Sequence, residues 1–570
     1  MKSLSQRQLL IVWLFVGVAV SSPRAFFAAD LVIDVGAPSN NQSGPLLVGA
    51  NVVYSHEDIR SWQDGEKIQA LIDSGINNLR YPGGHLVSFW DWEFPYHNAY
   101  ANFWDPSYIA QLTEARKDEL RVEHANRMGL EDFLAICREV GAEPLVGINM
   151  FQGYRNGRKQ DSIDKAVRLV EWCMKQDPKP RYYYLDNEAG HQPERNNHIP
   201  VEDYIPLIPD YSAAIKQADP GAKIIANLIG GQWNQVRNLI EQVGDYVDIY
   251  EHHWYYFNRV WGEFYLEDWR NEFSFNEQNN RINQFNNWKN QYNKFHLQFA
   301  YLEWNIGPAR ETPGATTGTP FYQGLVQADV LMHMIRNDVY MASVWPLTWK
   351  SNNPDPAATG GFRSLIDPET GEVTASGAIF DAFSLAAEGR MAPLEISEPN
   401  QVQGLAMQAA DRDRLLVYLL NKTDQPQSVE LNLVRTPLAA SYMTYTAGEP
   451  AYYGQTQEYP LEPAGPSLEI TLPDTSFVFA QLDFDEGEAL VPEPVAIEKM
   501  QSDAYRISLE SSQRGYQYEL LGTERLGQDE YWRSLQSRIP VFHELGEPLH
   551  FDAEQLGERS FYKIRKTAID

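Results

Sequence analysis

The sequence predicts an α/β protein: a (β/α)8 barrel, or TIM barrel, followed by an antiparallel β-sandwich and a small C-terminal β module. Two observations carry this prediction. Between about Leu46 and Arg390, short apolar runs alternate with amphipathic segments, as in repeated βα units. Beyond Arg390, short strands alternate with turns, which is typical of a sandwich. A chain of 570 residues is also too long for a single core.

The predicted barrel strands are short apolar runs, each closed by polar or turn residues. Eight of them favour a closed barrel. An open doubly wound sheet is the alternative, but no glycine-rich phosphate loop follows the first strand. The eight runs are Leu46–Tyr54, Ile76–Tyr81, Pro144–Met150, Tyr182–Asn187, Lys223–Leu228, Val247–His252, Leu297–Leu302 and Met341–Trp345.

The segments between these runs have recognisable helix ends. Leu130–Val140 stops at Gly141, and a glycine can adopt the left-handed conformation that closes a helix. Ala375–Ala387 is a last amphipathic segment, which we expect to pack outside the final strand.

Changes in composition and in hydrophobic patterning divide the chain into six parts. Leu31–Val35, ahead of the barrel, is expected to add a strand to the sandwich. The parts are a signal peptide (1–29), an N-terminal strand segment (30–45), the barrel (46–390), the sandwich (391–485), an acidic proline-bearing linker (486–497) and a small β module (498–570).

The N-terminus has the pattern of an export signal. Lys2 and Arg7 precede an apolar run, Leu9–Val20, that is followed by small residues and is too short to span a membrane comfortably. We therefore expect a secreted or periplasmic protein. The two cysteines, Cys137 and Cys173, lie in helical patterns and are expected to be buried free thiols.

The formal net charge is −30 at pH 7. A chain this acidic repels nucleic acid and anionic membrane surfaces, so neither is an expected partner, and no membrane association is expected after signal cleavage. The sequence leaves the oligomeric state open.

Two glutamates follow predicted barrel strands at the end where barrel active sites lie. The fourth strand runs into Asp186-Asn187-Glu188, and the seventh into Glu303-Trp304-Asn305. Cleavage of a glycosidic bond needs two carboxyl groups beside it, one protonated and one ionised. Glu188 and Glu303 meet that requirement.

Several motifs in the same order extend this pattern, and together they resemble the clan of retaining (β/α)8-barrel glycoside hydrolases, most similar in motif to the α-L-arabinofuranosidase-like families. Asp186-Asn187-Glu188 departs from the Gly-Asn-Glu that is usual there. The matching segments are Arg80-Tyr81-Pro82-Gly83-Gly84, Asp91-Trp92-Glu93, Gly129–Leu134, Gly141-Ala142-Glu143-Pro144, Asn149, Asn187-Glu188, His253-Trp254-Tyr255, Glu303 and Trp345.

The resemblance implies a role for each matched residue. Glu188 would be the general acid/base, protonated near neutral pH, and Glu303 the nucleophile. Arg80 and Tyr255 would keep Glu303 ionised through hydrogen bonds. Asn187 would bind the sugar 2-hydroxyl.

Further residues are candidates for substrate binding. Tryptophans at strand ends suit sugar stacking, and long aromatic insertions at a barrel mouth commonly shape subsites. The insertions are Phe94–Arg127 and Phe257–Asn290. The predicted substrate-binding set is Arg80, His85, Trp92, Asn149, Asn187, His253, Tyr255, Trp304 and Trp345, and either His252 or His253 is expected to line the site.

Two alternative classes remain open. In a metal-dependent barrel enzyme, histidines would join Glu188 and Glu303 as ligands, but no His-Glu-x-x-His or comparable spacing supports this, and no metal or cofactor is predicted. The second alternative is a non-catalytic carbohydrate-binding protein. The histidines available for a metal are His85, His97, His191, His252 and His253.

The expected partner is a polysaccharide or oligosaccharide whose identity the sequence leaves open. Arabinoxylan side chains, a plant β-glycan backbone and an algal galactan all fit, as do endo and exo action.

Overall fold

The computed structural model describes most of the barrel and sandwich. The predicted signal peptide, most of Phe94–Arg127 with His97, residues 257–265 and most of the linker lie outside the described residues. Those described are 31–36, 38, 42–54, 57–63, 65–93, 126–191, 199–256, 266–271, 274–306, 320–348, 364–367, 370–410, 413–447, 454–484, and strands between 495 and 568.

Eight parallel strands form a closed barrel, which confirms the predicted fold class. The first, β2, pairs with both the second and the last, so the sheet has no free edge. One strand, β1 (Leu31–Val35), precedes the barrel. The barrel strands are β2 (Leu46–Asn51), β3 (Asn78–Tyr81), β4 (Glu143–Ile148), β5 (Tyr182–Leu185), β6 (Lys223–Asn227), β7 (Ile249–Tyr256), β8 (Gln298–Ile306) and β9 (Met341–Val344).

Strands β7 and β8 run further than the sequence predicts. The predicted ends were His252 and Leu302, because the polar residues beyond them look like strand terminators. The ladder instead continues, with His253 opposite Glu303 and Tyr255 opposite Asn305. Its register shifts between Glu251 and His253. These polar side chains therefore project from rigid strands.

Helices surround the barrel. The second one ends at Gly141, whose φ of +76° is the left-handed conformation expected there. The helices are α1 (Glu66–Asp73), α2 (Leu130–Val140), α3 (Phe151–Arg155), α4 (Lys159–Cys173), α5 (Val201–Ala218), α6 (Trp233–Val243), α7 (Leu266–Asn271), α8 (Asn276–Gln291), α9 (Pro320–Arg336) and α10 (Ala375–Ser384). Both cysteines are free and buried, in α2 and α4.

The barrel interior is filled by side chains and forms a floor beneath the mouth. Tyr182 and Tyr340 share a hydrogen bond of 3.0 Å across it. Members of this layer are Leu46, Val87, Leu145, Tyr182, Tyr184, Ile225, Ile249, Ala300, Leu302, Tyr340 and Met341. This packed layer closes the barrel interior beneath the C-terminal ends of the strands, where barrel active sites lie.

Two sheets follow the barrel and form the sandwich. The smaller has the strand order β11-β1-β14-β17, so β1 crosses over from ahead of the barrel, and the larger has the order β10-β12-β13-β18-β15-β16. Their strands are β10 (Arg390–Ala392), β11 (Leu394–Ile396), β12 (Val402–Gln408), β13 (Arg414–Asn421), β14 (Gln427–Asn432), β15 (Ala439–Thr446), β16 (Gln455–Leu461), β17 (Ser467–Leu472) and β18 (Ser476–Asp483).

The larger sheet packs on the barrel through aromatic rings. Phe383 of α10 stacks on Tyr418 at 4.6 Å and on Phe477 at 5.6 Å between ring centroids. A buried ion pair, Lys422 with Asp329 at 3.2 Å, joins the same two units. Since both contacts exclude water, the sandwich braces α9 and α10.

The C-terminal region contains six strands in two three-stranded antiparallel sheets, ordered β19-β20-β23 and β22-β21-β24. Among the described helices, none combines the length and apolar character needed to cross a bilayer. The strands are β19 (Val495–Lys499), β20 (Ala504–Leu509), β21 (Tyr516–Thr523), β22 (Arg533–Arg538), β23 (Leu549–Glu554) and β24 (Phe561–Ala568).

Phe383→Ala should destabilise the protein by about 3–5 kcal/mol, because it opens a cavity between barrel and sandwich. Chemical denaturation followed by fluorescence measures this. Phe295→Ala is the matched control: Phe295 is 60% exposed, and its loss should change stability by less than about 0.5 kcal/mol. Equal effects of the two substitutions would contradict a packed interface.

Candidate active site

Two carboxylates face each other at the barrel mouth. Glu188 follows β5, and Glu303 lies within β8 on the opposite wall. Single oxygen atoms of these two side chains and one ring nitrogen of His253 all lie within 4.8 Å of one another. The structure thus brings together the two glutamates that the sequence predicts as a pair.

Both carboxylate oxygens of Glu303 accept hydrogen bonds. Arg80 donates from Nη1 to Oε2 at 3.2 Å, and Tyr255 donates its hydroxyl to Oε1 at 2.8 Å. Charge-assisted bonds of this kind fix both position and orientation. Glu303 is only 7% exposed, so its carboxylate is largely shielded from solvent.

Arg80, at the end of β3, is completely buried and links four walls of the site. It donates to Asn51 Oδ1 at 2.9 Å and to Asn187 Oδ1 at 2.8 Å, besides Glu303. Its guanidinium lies 4.2 Å from the ring centroid of Tyr184. Burial opposes the charge, but Tyr184 and the surrounding carboxylates raise the pKa of Arg80. The buried Arg80 cation therefore lies beneath Glu188 and Glu303.

Glu188 lies on an unusual piece of backbone. Its φ is +50° and that of Asp186 is +58°, a region that favours glycine. Asp186 tolerates this because its carboxylate accepts backbone N–H bonds from Met150 at 2.9 Å and Phe151 at 2.6 Å. The departure from Gly-Asn-Glu therefore has a structural reason. Here the aspartate side chain compensates locally for the conformation that glycine adopts freely.

Asp186 is also bonded by the Ser88 hydroxyl and by the amide of Asn187. Burial nevertheless raises the pKa of Asp186, because the desolvation of its charge outweighs these bonds. The sequence pattern did not identify Asp186 or Ser88 as supports of Glu188. The detectable signal was an aspartate at a position where the resembling families carry glycine.

His253 connects the two carboxylates to a third. Its Nδ1 lies 2.9 Å from Glu188 Oε1 and 3.6 Å from Glu303 Oε2. Its Nε2 lies 3.1 Å from an oxygen of Glu251. Although burial lowers it, the pKa of His253 is raised well above the ordinary histidine value by Glu251, Glu303 and Glu188. Three carboxylates thus surround one imidazole, an arrangement that favours its protonated form.

Glu251 and Asn51 belong to the site but were not predicted. Both are fully buried. Glu251, His253 and Tyr255 alternate along β7, so the pattern of one polar residue in two could have identified Glu251. Asn51 carried no such signal, since it stands alone at the end of an apolar strand.

Other predicted residues lie at the rim. Asn187 accepts from Arg80, which orients its amide. His85 is exposed in the 3-10 helix Gly84–Ser88 that follows β3. Trp345 is partly exposed, and its ring packs so closely over Gly84 that a Cβ there would come within 2.7 Å. Trp345 therefore borders the mouth.

The prediction that Trp304 binds substrate is wrong. Strand alternation turns Trp304 outward while its neighbour Glu303 faces in. Trp304 is fully buried and stacks on Phe380 of α10, with 5.8 Å between centroids. It anchors a helix to the barrel.

Trp92 and Asn149 also have structural roles. Trp92 donates its indole N–H to the carbonyl of Lys165 in α4 at 3.3 Å, which places it beside that helix. Asn149 donates to the carbonyl of Trp90 at 2.9 Å and accepts from the amide of Gln152. Both residues thus brace the loops around β4, and their substrate-binding roles stay predictions.

The two neighbouring histidines of β7 face opposite sides. His252 is fully buried against Trp233 and Tyr301, with centroids at 5.4 and 6.0 Å. Burial, together with Arg281, lowers the pKa of His252 well below its ordinary value. Of the pair, His253 is the one that lines the site.

Of the described histidines considered for a metal, His253 and His191 lie beside Glu188, at 2.9 and 3.7 Å, and two others do not. His85 is exposed, and His252 faces away from the cleft. Within the described residues, the side chains close enough to hold a cation are Glu188, His253 and Glu303. A cation there would displace the proton on His253 Nδ1 and lie beside the Arg80 guanidinium, so this donor set fits a metal poorly.

Sequence comparisons support the resemblance. No family model matches the chain. It is 23% identical over 235 residues to an intracellular exo-α-(1→5)-L-arabinofuranosidase of Acetivibrio thermocellus, covering 36% of this chain and 42% of that protein. The protein of the same description from Streptomyces lividans is 24% identical over 213 residues, 33% of this chain and 29% of that protein. The chain thus spans less than half the length of these curated relatives.

Solved structures with the same fold point the same way. The GH51 arabinofuranosidase of Xanthomonas axonopodis pv. citri has a TM-score of 0.59 at 14% identity, covering 80% of this chain and 100% of that one. The Thermotoga maritima α-L-arabinofuranosidase has a TM-score of 0.58 at 16% identity, with the same coverage. The resemblance to the clan of barrel glycoside hydrolases that includes arabinofuranosidases is confirmed.

Arg80→Met should destabilise the protein by about 3–5 kcal/mol at pH 7, because Glu251 and Glu303 lose a buried cation. The control Arg60→Met removes an exposed ion pair with Asp58, and we expect its stability to stay near that of the wild type. Denaturant titration of the three proteins provides the comparison. An Arg80 variant as stable as the wild type would show that the cation does not compensate the carboxylates.

Proposed function

We propose that this chain is a retaining glycoside hydrolase in which Glu188 is the general acid/base and Glu303 the nucleophile. The observation that carries the proposal is the short separation of the two carboxylates, with oxygen atoms within 4.8 Å. Retaining enzymes hold the pair about 5–5.5 Å apart, whereas inverting enzymes leave about 6.5–9.5 Å for a water molecule. An oxygen-to-oxygen separation within 4.8 Å is nearer to the retaining spacing than to the inverting one.

The contacts of Glu303 and Glu188 give the two glutamates different roles in the reaction. Glu303, held from behind by Arg80 and Tyr255, attacks the anomeric carbon with a carboxylate oxygen. Glu188, which is more open to the cleft, gives its proton to the departing glycosidic oxygen as that bond breaks. In the second step, Glu188 takes a proton from water, whose oxygen displaces Glu303 and completes hydrolysis with net retention.

Asn187 recognises the sugar in this scheme. Its Oδ1 accepts from Arg80, so its amide NH2 is the group directed to a sugar hydroxyl. A hydrogen bond to the 2-hydroxyl strengthens as positive charge develops on the ring. Arg80 therefore orients both the amide donor of Asn187 and the nucleophile Glu303.

We propose an α-L-arabinofuranosyl group as the substrate, on the strength of the relatives' activity. The alternative is cleavage of a β-glycan backbone. It has support because a Paenibacillus polymyxa xyloglucanase solved with xyloglucan also matches the fold, at a TM-score of 0.53 and 14% identity. Activity assays with aryl α-L-arabinofuranosides and with soluble β-glycans as substrates distinguish these two alternatives.

We further propose that the protein is exported, because Lys2 and Arg7 precede the apolar run Leu9–Val20. The curated relatives are described as intracellular. Intact mass of the protein from cell extract and from medium or periplasm tests this. A secreted form that has lost about the first 29 residues is expected, and an uncleaved form found only inside the cell would refute export.

Glu188→Ala should lower kcat/KM on an aryl glycoside by about 10²–10⁴-fold, and Glu303→Ala by more, because the first removes an acid and the second the covalent step. Azide should rescue both variants: the product keeps the substrate's anomeric configuration for Glu188→Ala and inverts it for Glu303→Ala, as NMR reads directly. Exposed Glu241→Ala is the control and should retain full activity.

Three results would contradict this assignment. Activity that survives either substitution would exclude that residue from its role. Loss of wild-type activity on chelation, restored by a divalent cation, would favour the metal-dependent alternative. Tight binding of a glycan without hydrolysis across arabinofuranosides, β-glycans and galactans would favour a binding protein.

Trp345→Ala should raise KM for a polysaccharide several-fold with little loss of stability, because a partly exposed ring at the mouth is removed. Trp304→Ala should instead cost about 3–5 kcal/mol of stability while KM of the folded fraction stays near wild type. Kinetics and thermal melting of both variants check this contrast. The opposite pattern would reverse the placement of the two tryptophans.

A further inference from the structure

Glu251 is a fully buried carboxylate beneath the acidic pair, and the proposed reaction does not use it. It lies on β7, two residues before His253 and on the same side of the strand. Its oxygens are 3.1 and 3.3 Å from His253 Nε2, and the nearer Arg80 nitrogen is 3.7 Å away. No sugar could reach it, because the side chain has no exposed surface.

A carboxylate in such a place has to be compensated. Removing an ionised group from water costs several kcal/mol, and a cation with good geometry offsets that cost. Although burial raises it, the pKa of Glu251 is lowered overall by His253 and Arg80. The pairing is mutual, since an anion on Nε2 stabilises the imidazolium form of His253.

Resting on the proposed function, we propose that Glu251 is a positioning residue that holds His253 as an imidazolium and so sets the pH range in which Glu188 and Glu303 react. The chain of contacts is direct. Glu251 binds Nε2, and Nδ1–H then donates to Glu188 at 2.9 Å and lies 3.6 Å from Glu303. The ring orientation and the charge beside both reacting groups thus depend on one buried anion.

Charged and titratable groups from three strands and one loop face this imidazole or its partners. Strand β3 contributes Arg80, β7 contributes Glu251 and, facing outward, His252, and β8 contributes Glu303. From the loop after β5, Glu188 bonds the ring, and His191 Nε2 lies 3.7 Å from Glu188. Arg80 is attached to Glu251 and Glu303, so it remains when Glu251 is neutralised.

The sign of the effect follows from the charge. An imidazolium stabilises the ionised form of a nearby carboxyl group, and its loss makes that group harder to ionise. The two limbs of a glycosidase pH profile report the ionised nucleophile and the protonated acid of the reaction. If His253 becomes neutral, both limbs move to higher pH.

Glu251→Gln tests this, since it keeps the shape and removes the charge. We expect both limbs of kcat/KM against pH to move up by about one unit or more, whereas Glu251→Asp keeps the charge and should leave the limbs near their wild-type positions at reduced kcat. The double variant Glu251→Gln/His253→Gln should show no further shift beyond His253→Gln alone, because the effect acts through His253.

A second readout does not require activity. Histidines labelled at Cε1 can be followed by NMR in the full chain, with His253 assigned by its loss in His253→Gln among the 12 histidines. The His253 pKa should fall by at least about one unit in Glu251→Gln and stay raised in Glu251→Asp. If the chain proves inactive on every glycoside, this titration still decides the role of Glu251.

Two outcomes would overturn the proposal. One is an unchanged His253 titration in folded Glu251→Gln, which would mean that Glu188 and Glu303 suffice to keep the imidazole charged. The other is a pH shift of equal size in the His253→Gln background, which would mean that Glu251 acts directly on the carboxylates.

Discussion

The structure of the site depends on one buried cation, the guanidinium of Arg80. It is fully enclosed, yet it contacts groups from β2, β5, β7 and β8. A guanidinium presents its donors in a fixed plane, so the positions of its partners are set relative to one another. Without it, the anions of Glu251 and Glu303 would face each other across a dry barrel mouth.

Charge balance explains why so many ionisable groups can share so small a space. Arg80 and His253 are paired with Glu251 and Glu303, and in the proposed mechanism Glu188 is the group that gains and loses a proton. Because positive and negative groups alternate, each charge has a partner of opposite sign within about 4 Å. At that distance, with an effective dielectric constant near 20, the attraction between two opposite charges is about 4 kcal/mol. A proton moving on and off Glu188 therefore perturbs a set of charges that is already close to neutral.

The backbone supplies the second constraint. The positive φ angles at Asp186 and Glu188 direct the Glu188 carboxylate across the barrel mouth. Strand β5 itself ends before the mouth. Asp186 compensates this conformation by hydrogen bonds to the segment after β4, so the shape of one loop is fixed by another. The register shift between β7 and β8 places Glu303 opposite His253, on the strand that also carries Glu251.

The sequence by itself determined the barrel, the sandwich and the pair of glutamates, because each can be predicted from a local sequence pattern. Apolar runs alternate with amphipathic segments, and Glu188 and Glu303 follow strands whose ends must meet at one mouth. Which side chains face that mouth was decided only by tertiary structure. Trp304 and His252 turn outward, Trp92 lies against α4, and Glu251 and Asn51 enter the site without a motif. The physical reason is that strand register, bulges and buried charge compensation depend on residues distant in the chain, which no local pattern records.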